Sequence, residues 1–406
     1  MNNNDLYNLI KWADLEQYND MIAIQETARK VETAFSNGQF NSMSRYEHNL
    51  EKLKAEEINL EAAAESLREL KALRRACANI RMGDPVLSII VPVYNAEATI
   101  EATLDSIQEQ TLRDFEVIIC NDGSTDKSAE IISDYITTKR RRDDIRWGYI
   151  NHGDIGQART VNDGLYRARG LYVAELDSDD RADPRMYKTL IDAAIEFDAD
   201  VVKCNTLELM PGGKQELRRH ITDRIQPRKV YNFREISDRK TQRDAIVRYN
   251  NLMSGIARRA FIMENGIRYR HGHNFEDTAV CFKIRALAER YVFIDEYLYS
   301  YNRDNPQSGS NTIRDRDAII DQCHEIYRFC EDNNLEDFIE LAALEEFYNY
   351  KWNIARMSKD LASVEVFTEK AGKELLQHEI DPDLFPSPID LEFYNFLRKN
   401  AKNESF

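Results

Sequence analysis

Four short apolar runs alternate with helical stretches between residues 86 and 176, and this alternation restricts the fold more than any other feature of the chain. Val86-Leu87-Ser88-Ile89-Ile90-Val91 is nearly continuous in apolar residues, as expected of a strand buried on both faces. A helical stretch follows from Ala98 to Gln110. Phe115-Glu116-Val117-Ile118-Ile119-Cys120 predicts the second strand, and Lys127 to Thr138 the second helix. Arg146 to Ile150, Gln157 to Arg169 and Leu171 to Leu176 continue the series as strand, helix and strand. Pro184 marks a further helix start, where its missing N–H needs no partner. Strands and helices in strict alternation predict an α/β fold, a mostly parallel sheet with helices on both faces. Ligands of such sheets bind outside the carboxyl ends of the strands.

The flanks read differently. Residues 1 to 82 hold no proline and one glycine, Gly38. Leu50, Leu53, Leu60, Ala64, Leu67, Leu70 and Leu73 recur at mostly three- and four-residue steps, which is helical periodicity. Trp12 to Phe35 repeats the pattern, and Ser36-Asn37-Gly38 separates the two helices. The hairpin serves either as a homo-oligomerisation element or as a layer packed on the next domain. Gly83-Asp84-Pro85 breaks the helix and opens the central unit. From 315 onward the chain is helical again, with Ile319 to Cys330 and Leu341 to Leu361 apolar at helical spacing. Their aromatics, Tyr327, Phe329, Phe347, Tyr348, Tyr350 and Trp352, read as core. The expected organisation is therefore 1–82, 83–314 and 315–406.

Charge and cysteine usage remove several classes. A net charge of -16 argues against nucleic-acid binding, which needs a basic surface. The basic run Lys139-Arg140-Arg141-Arg142 reads as a solvated loop between a helix and a strand. The six cysteines are scattered, without metal-ligand spacing, and read as reduced thiols. Met1-Asn2-Asn3-Asn4-Asp5 lacks the features of a signal peptide, and no run of about 18 apolar residues exists to span a membrane. A cytoplasmic protein is expected. Peripheral contact with a membrane stays open, although the C-terminal zone is not notably basic.

The residues that carry chemistry follow the strands. Pro92-Val93-Tyr94-Asn95 comes after the first, Asn121-Asp122-Gly123-Ser124-Thr125-Asp126 after the second, and Asp177-Ser178-Asp179-Asp180 after the fourth. All three turns should converge on one edge of the sheet. An Asp-Gly-Ser turn alone is a common way to start a helix. Three carboxylates in four positions are harder to dismiss, because clustered acids repel unless a cation offsets them. Mg²⁺ and Mn²⁺ are hard cations that prefer oxygen ligands and bridge to phosphates.

With these turns, the segments His152-Gly153-Asp154-Ile155-Gly156-Gln157-Ala158-Arg159, Asn162-Asp163-Gly164-Leu165 and Ala168-Arg169-Gly170 make residues 86 to 310 resemble the family 2 glycosyltransferases of the GT-A fold. The resemblance implies a GT-A nucleotide-diphospho-sugar transferase domain, flanked here by N-terminal and C-terminal helical regions. It implies that Pro92 and Tyr94 line the nucleoside pocket, that Asp122 bonds base or ribose, and that Arg159 approaches the nucleotide. Asp177 would face the nucleoside and join Asp179 at a divalent cation, Mn²⁺ or Mg²⁺, with Asp180 behind them. Asn274-Phe275-Glu276-Asp277-Thr278 resembles the family's Glu-Asp motif. That resemblance makes Asp277 the catalytic base and Glu276 its neighbour in the acceptor pocket. Tyr299-Ser300-Tyr301-Asn302-Arg303 with Ser308 resembles the segment that folds over the diphosphate, with Arg303 as the phosphate partner. Asn302 stands where the family often has arginine. His271 and His273 are further metal-ligand candidates near the Glu-Asp motif.

The implied reaction moves a sugar, with inversion, from a UDP-sugar to a hydroxyl of a saccharide or glycolipid acceptor of bacterial-polysaccharide type. Two other readings compete. A sugar nucleotidyltransferase would want a glycine-rich basic loop after the first strand, which Pro92-Val93-Tyr94-Asn95-Ala96 is not. A catalytically degenerate nucleotide-sugar-binding scaffold would not need both Asp179 and Asp277.

Overall fold

The computed structural model describes residues 84–220, 224–247, 253–270, 275–305, 316–357 and 361–402. The hairpin expected over 1–82 lies outside them, as do His271, His273 and Ser308. The first strands follow the apolar runs closely. β1 is Leu87–Val93, and β2, Phe115–Asp122, is likewise buried along its whole length. Between them lies α1, Ile100–Gln108. After α2 (Ser128–Asp134) come β3 (Ile145–His152), α3 (Gln157–Arg167) and β4 (Tyr172–Glu175). These four strands are parallel, in the order β3-β2-β1-β4.

The helix expected over Lys127 to Thr138 does not run through. α2 ends at Asp134 and passes into a five-residue π turn, Tyr135–Lys139. The Thr137 and Thr138 hydroxyls donate to the carbonyls of Ser133 and Asp134, four residues back, at 2.8 Å each. Such back-bonding disturbs helical geometry. The basic run that follows is a carboxylate-paired loop. Lys139 pairs with Glu101, Arg141 with Asp105, and Arg142 with Asp144.

The second half of the sheet is mixed. After β5 (Arg181–Ala182) and α4 (Met186–Glu196) come β6 (Val201–Leu209), β7 (Gln215–Arg218) and β8 (Val230–Tyr231). Then follow α5 (Arg239–Ile246), β9 (Gly255–Arg258), α6 (Arg259–Glu264), α7 (Glu276–Leu287) and β10 (Tyr291–Asn302). β9 inserts antiparallel between β4 and β6, and β10 runs parallel to β6. The path across the described sheet is β3-β2-β1-β4-β9-β6-β10-β5, with β7 on β6 and β8 on β10.

Among the described residues four helices follow: α8 (Ala318–Asp332), α9 (Ile339–Arg356), α10 (Leu361–Glu374) and α11 (Pro388–Lys402). Asp84–Phe406 group as one unit, and α8 packs on α7. A single hydrophobic cluster runs from Ile90 under the sheet to Leu397 on α11. Phe347 sits at the centre of the helical part, with the rings of Tyr348, Phe385 and Tyr394 at 5.1, 5.3 and 5.9 Å. Among the described residues, no helix is long and apolar enough to cross a membrane.

Two sequence motifs turn out to be clamps. Gly164 lets α3 lie directly on β1, since a Cβ there would stand 2.6 Å from Ile90 Cγ2. Asn162 holds the Tyr269 backbone in both directions, donating to its carbonyl at 2.8 Å and accepting from its N–H at 3.0 Å. Buried Glu116 accepts from the Ser88 hydroxyl at 2.6 Å and from the Arg169 N–H at 2.7 Å. That pair of bonds seals the junction between α3 and β4 against the starts of β1 and β2.

Candidate active site

The loops after β1 and β2 are laced together by their own polar residues. Asn95, at a positive φ of 49°, accepts from the Thr125 N–H at 2.8 Å. The N–H groups of Asn95 and Ala96 donate to the Ser124 and Ser128 hydroxyls at 3.0 and 2.8 Å. Glu97 N–H donates to Asp126, and Lys127 N–H to Glu97. This lacing leaves Tyr94 projecting at the loop tip, 53% exposed, above buried Pro92. Asp122 is buried at the end of β2 and accepts from the Ile155 N–H at 2.9 Å, which fastens the segment before α3. Gly123 has a φ of +71°, and a Cβ there would meet the Asp154 nitrogen at 2.4 Å. Only glycine permits that approach. Arg159 lies exposed in the first turn of α3.

After β4 the chain turns tightly, with Asp180 N–H donating to the Asp177 carbonyl at 3.1 Å. The Thr103 hydroxyl of α1 braces the turn by donating to the carbonyls of Ser178 and Asp180. One carboxylate oxygen from each of Asp177, Asp179 and Asp180 lies within 4.8 Å of the others. The three are not equivalent. Asp180 is fully buried and accepts from the Tyr299 hydroxyl and, at 2.7 Å, from the Asn302 N–H. Burial, then the neighbouring Asp179 charge, pushes its carboxyl up to about 8 against those two hydrogen bonds. Asp179 is half-buried and raised above the ordinary carboxylate range by burial, opposed by a 2.7 Å hydrogen bond from Asn305. Asp177 is half-buried as well. A cluster held at this cost is suited to a divalent cation, and an all-oxygen donor set suits Mg²⁺ or Mn²⁺.

The end of β10 closes over this run. Tyr299, Asn302 and Asn305 all bond to it, and Arg303 is near enough for its charge to favour the ionised form of Asp180. Arg303 itself pairs with Glu208 at 3.0 Å and stacks 4.4 Å from the Tyr301 ring. Thr103, Tyr299 and Asn305 were not singled out from the sequence as partners of the acidic run. They lie 75 to 126 positions away along the chain, and only the fold brings them in.

Asp277 is the second residue of α7 and Glu276 the first. Phe275, just before them, adopts a left-handed φ of 62°. A bulky residue there costs of order 1–3 kcal/mol, which surrounding contacts must offset. The positive end of the helix favours ionised carboxylates at this position. The Asp277 charge is felt by Tyr269, whose hydroxyl donates to Glu175 on β4, two residues before Asp177. The Asp277 charge thus acts on the Tyr269–Glu175 pair. Further along α7, Val280, Cys281 and Ile284 line a cavity of ≈ 60 Å³ that is apolar apart from Glu175, Lys203, Tyr269, Cys281, Arg285 and Tyr291. Burial pulls the Lys203 ammonium down to about 8.

With the geometry in place, the chain can be compared with known proteins. The sequence model of Glycosyl transferase family 2 matches residues 88–264. The uncharacterized glycosyltransferase EpsJ of Bacillus subtilis is 31% identical over 230 residues, 55% of this chain and 62% of that protein. The uncharacterized glycosyltransferase YibD of Escherichia coli is 31% identical over 226 residues, 54% of this chain and 62% of that protein. The chain thus spans less than two thirds of the length of both relatives. A structure of S. aureus TarS residues 1–349 in complex with UDP-GlcNAc superposes with a TM-score of 0.55 at 17% identity, covering 78% of this chain and 88% of that one. Residues 88–264 therefore match Glycosyl transferase family 2, and the chain shares the GT-A fold of the TarS structure.

Proposed function

We propose that the protein is an inverting, metal-dependent glycosyltransferase that moves a hexosyl or N-acetylhexosaminyl group from a UDP-sugar to a hydroxyl of a saccharide or glycolipid. The observation that carries this reading is the convergence of Asp177, Asp179 and Asp180 at the end of β4, under a β10 end that folds back on them. The family match over 88–264 and the UDP-GlcNAc bound by the TarS structure support the donor class.

In this reading Tyr94 and Pro92 border the nucleoside, and Asp122 bonds base or ribose beside the loop it anchors. Asp179 and Asp177 hold the cation, while Asp180 keeps the turn in shape through Tyr299 and Asn302. Bound there, a divalent cation supplies Lewis-acid stabilisation of the leaving diphosphate. Arg303 reaches phosphate by exchanging its Glu208 partner. Asp277 takes the proton from the attacking hydroxyl, with Glu276 beside it at the helix start. Fixing donor and acceptor in line removes much of the entropic cost, and an α-linked donor gives a β-linked product.

The test is a screen of UDP-sugars with Mn²⁺ and saccharide acceptors, measuring UDP release and product linkage. Transfer with inversion is expected, and Asp277→Asn should lower it about 100-fold or more. Full transfer by that variant removes the base assignment. No release from any donor removes the reading itself.

A further inference from the structure

We infer that buried Glu208 is a positioning residue for the donor diphosphate: it parks Arg303 beside the acidic run and yields it to the incoming phosphates, with Arg218 left behind as the carboxylate's partner. The inference rests on the transferase reading, deepens the part played by Arg303, and gives β7 a function.

Arg303 is placed by its neighbours in the chain. The Asn302 N–H donates to Asp180 and the Asn305 side chain to Asp179, each at 2.7 Å, so residue 303 sits between two bonds to the acidic run. Its own N–H donates to the Leu209 carbonyl at 2.9 Å, which fixes the backbone to the end of β6. Movement is left to the side chain. Tyr301 and Glu208 are register partners on β10 and β6. Arg303 stacks on the Tyr301 ring, and its Nη2 donates to Glu208 Oε1 at 3.0 Å.

Glu208 has a second cation. Arg218 Nε lies 3.1 Å from the same Oε1. The β6–β7 hairpin sets this up. Arg218 pairs in register with Thr206, which puts it diagonally across from Glu208 on one face of the sheet. The directly opposed residue, Glu216, is itself paired with Lys214 at 2.6 Å. All four residues of β7 are exposed, so its contribution here is the ion pair rather than packing.

Two cations on one oxygen make an exchange possible. A carboxylate as buried as Glu208 is strongly destabilised when it is left without a partner. With Arg218 in place, Glu208 stays paired when Arg303 departs. Arg303 meanwhile trades one carboxylate for phosphate, and its planar fork fits both.

Calorimetry of UDP with Mn²⁺ tests this, with uridine as a probe that carries no phosphate. Glu208→Gln removes the competing carboxylate and should tighten UDP binding about threefold, the size of one exposed ion pair. Arg218→Gln leaves Glu208 to Arg303 and should weaken UDP binding by a similar factor. The double variant should bind as Glu208→Gln does, because Arg218 then has no carboxylate to hold. In an Arg303→Gln background neither substitution should matter. Uridine affinity should be the same throughout, which separates the exchange from a general disturbance of the site. Arg218 is exposed, so Arg218→Gln reads the exchange by itself should Glu208→Gln melt early. Additive effects of the two substitutions, or effects that persist without Arg303, would be simple long-range charge and overturn the inference. So would weaker UDP binding by Glu208→Gln at unchanged uridine affinity. UDP binding that no variant alters overturns it and leaves the transferase reading standing, whereas no UDP binding by the native protein removes both.

Discussion

Tyr299→Phe isolates what holds the acidic turn. Tyr299 is fully buried, and its hydroxyl donates to one oxygen of buried Asp180, while the Asn302 N–H donates to the other. Deleting the hydroxyl strips a buried carboxyl of one of two donors and barely changes packing. Leaving a buried carboxyl without one of its hydrogen-bond donors costs about 1–3 kcal/mol. At about 1.2 °C per kcal/mol for a chain of this size, the melting temperature should fall by about 1–4 °C. The structure also provides a matched control. Tyr187 is equally buried, but its hydroxyl has no hydrogen-bond partner among the described residues. Tyr187→Phe removes an unsatisfied polar group, so it should leave the melting temperature unchanged or raise it. Thermal scans of the two variants beside the native protein decide the matter. A Tyr299→Phe variant that melts with the native protein, or a Tyr187→Phe variant that falls as far, would refute the reasoning.

Two further perturbations have defined outcomes. Gly164→Ala should destabilise by about 1–3 kcal/mol despite alanine's better helix propensity, because its Cβ would press on Ile90; thermal melting reads the change. Glu346 is buried, accepts from the Tyr327 and Tyr350 hydroxyls, and is pushed up to about 7 by burial from an ordinary value of 4.5. The folded state then holds its proton more tightly than the unfolded chain. Stability from this group is present below about 4.5 and is lost as pH rises to about 7, by about 3 kcal/mol. Glu346→Gln should flatten that part of the stability–pH curve relative to the native protein, and an unchanged slope contradicts the assignment.

β1, β2 and β4 were legible because doubly buried strands are written as apolar runs. β1 even runs through Pro92, whose register partner is Cys120. β9 was not legible, since Gly255–Arg258 is four residues with no pattern of its own, and its place between β4 and β6 is set by pairing. Within the site, the three polar turns announced themselves by following strands. The unequal status of their acids did not. Asp180 is committed to Tyr299 and Asn302 by contacts more than 100 positions apart, which local sequence cannot encode. The C-terminal aromatics show the same limit. Phe347 and Tyr350 are core, as their spacing implies, whereas Trp352 shares that spacing and faces outward beside Phe275.

The central claim is that Asp179 helps hold a cation that bridges to the donor diphosphate. Isothermal titration of UDP into the native protein and into Asp179→Asn, each with and without Mn²⁺, addresses it without any acceptor. Mn²⁺ should tighten UDP binding to the native protein at least about tenfold, or 1.4 kcal/mol, and the variant should lose that gain. Equal UDP affinity with and without Mn²⁺ in the native protein, or an undiminished gain in Asp179→Asn, would contradict it.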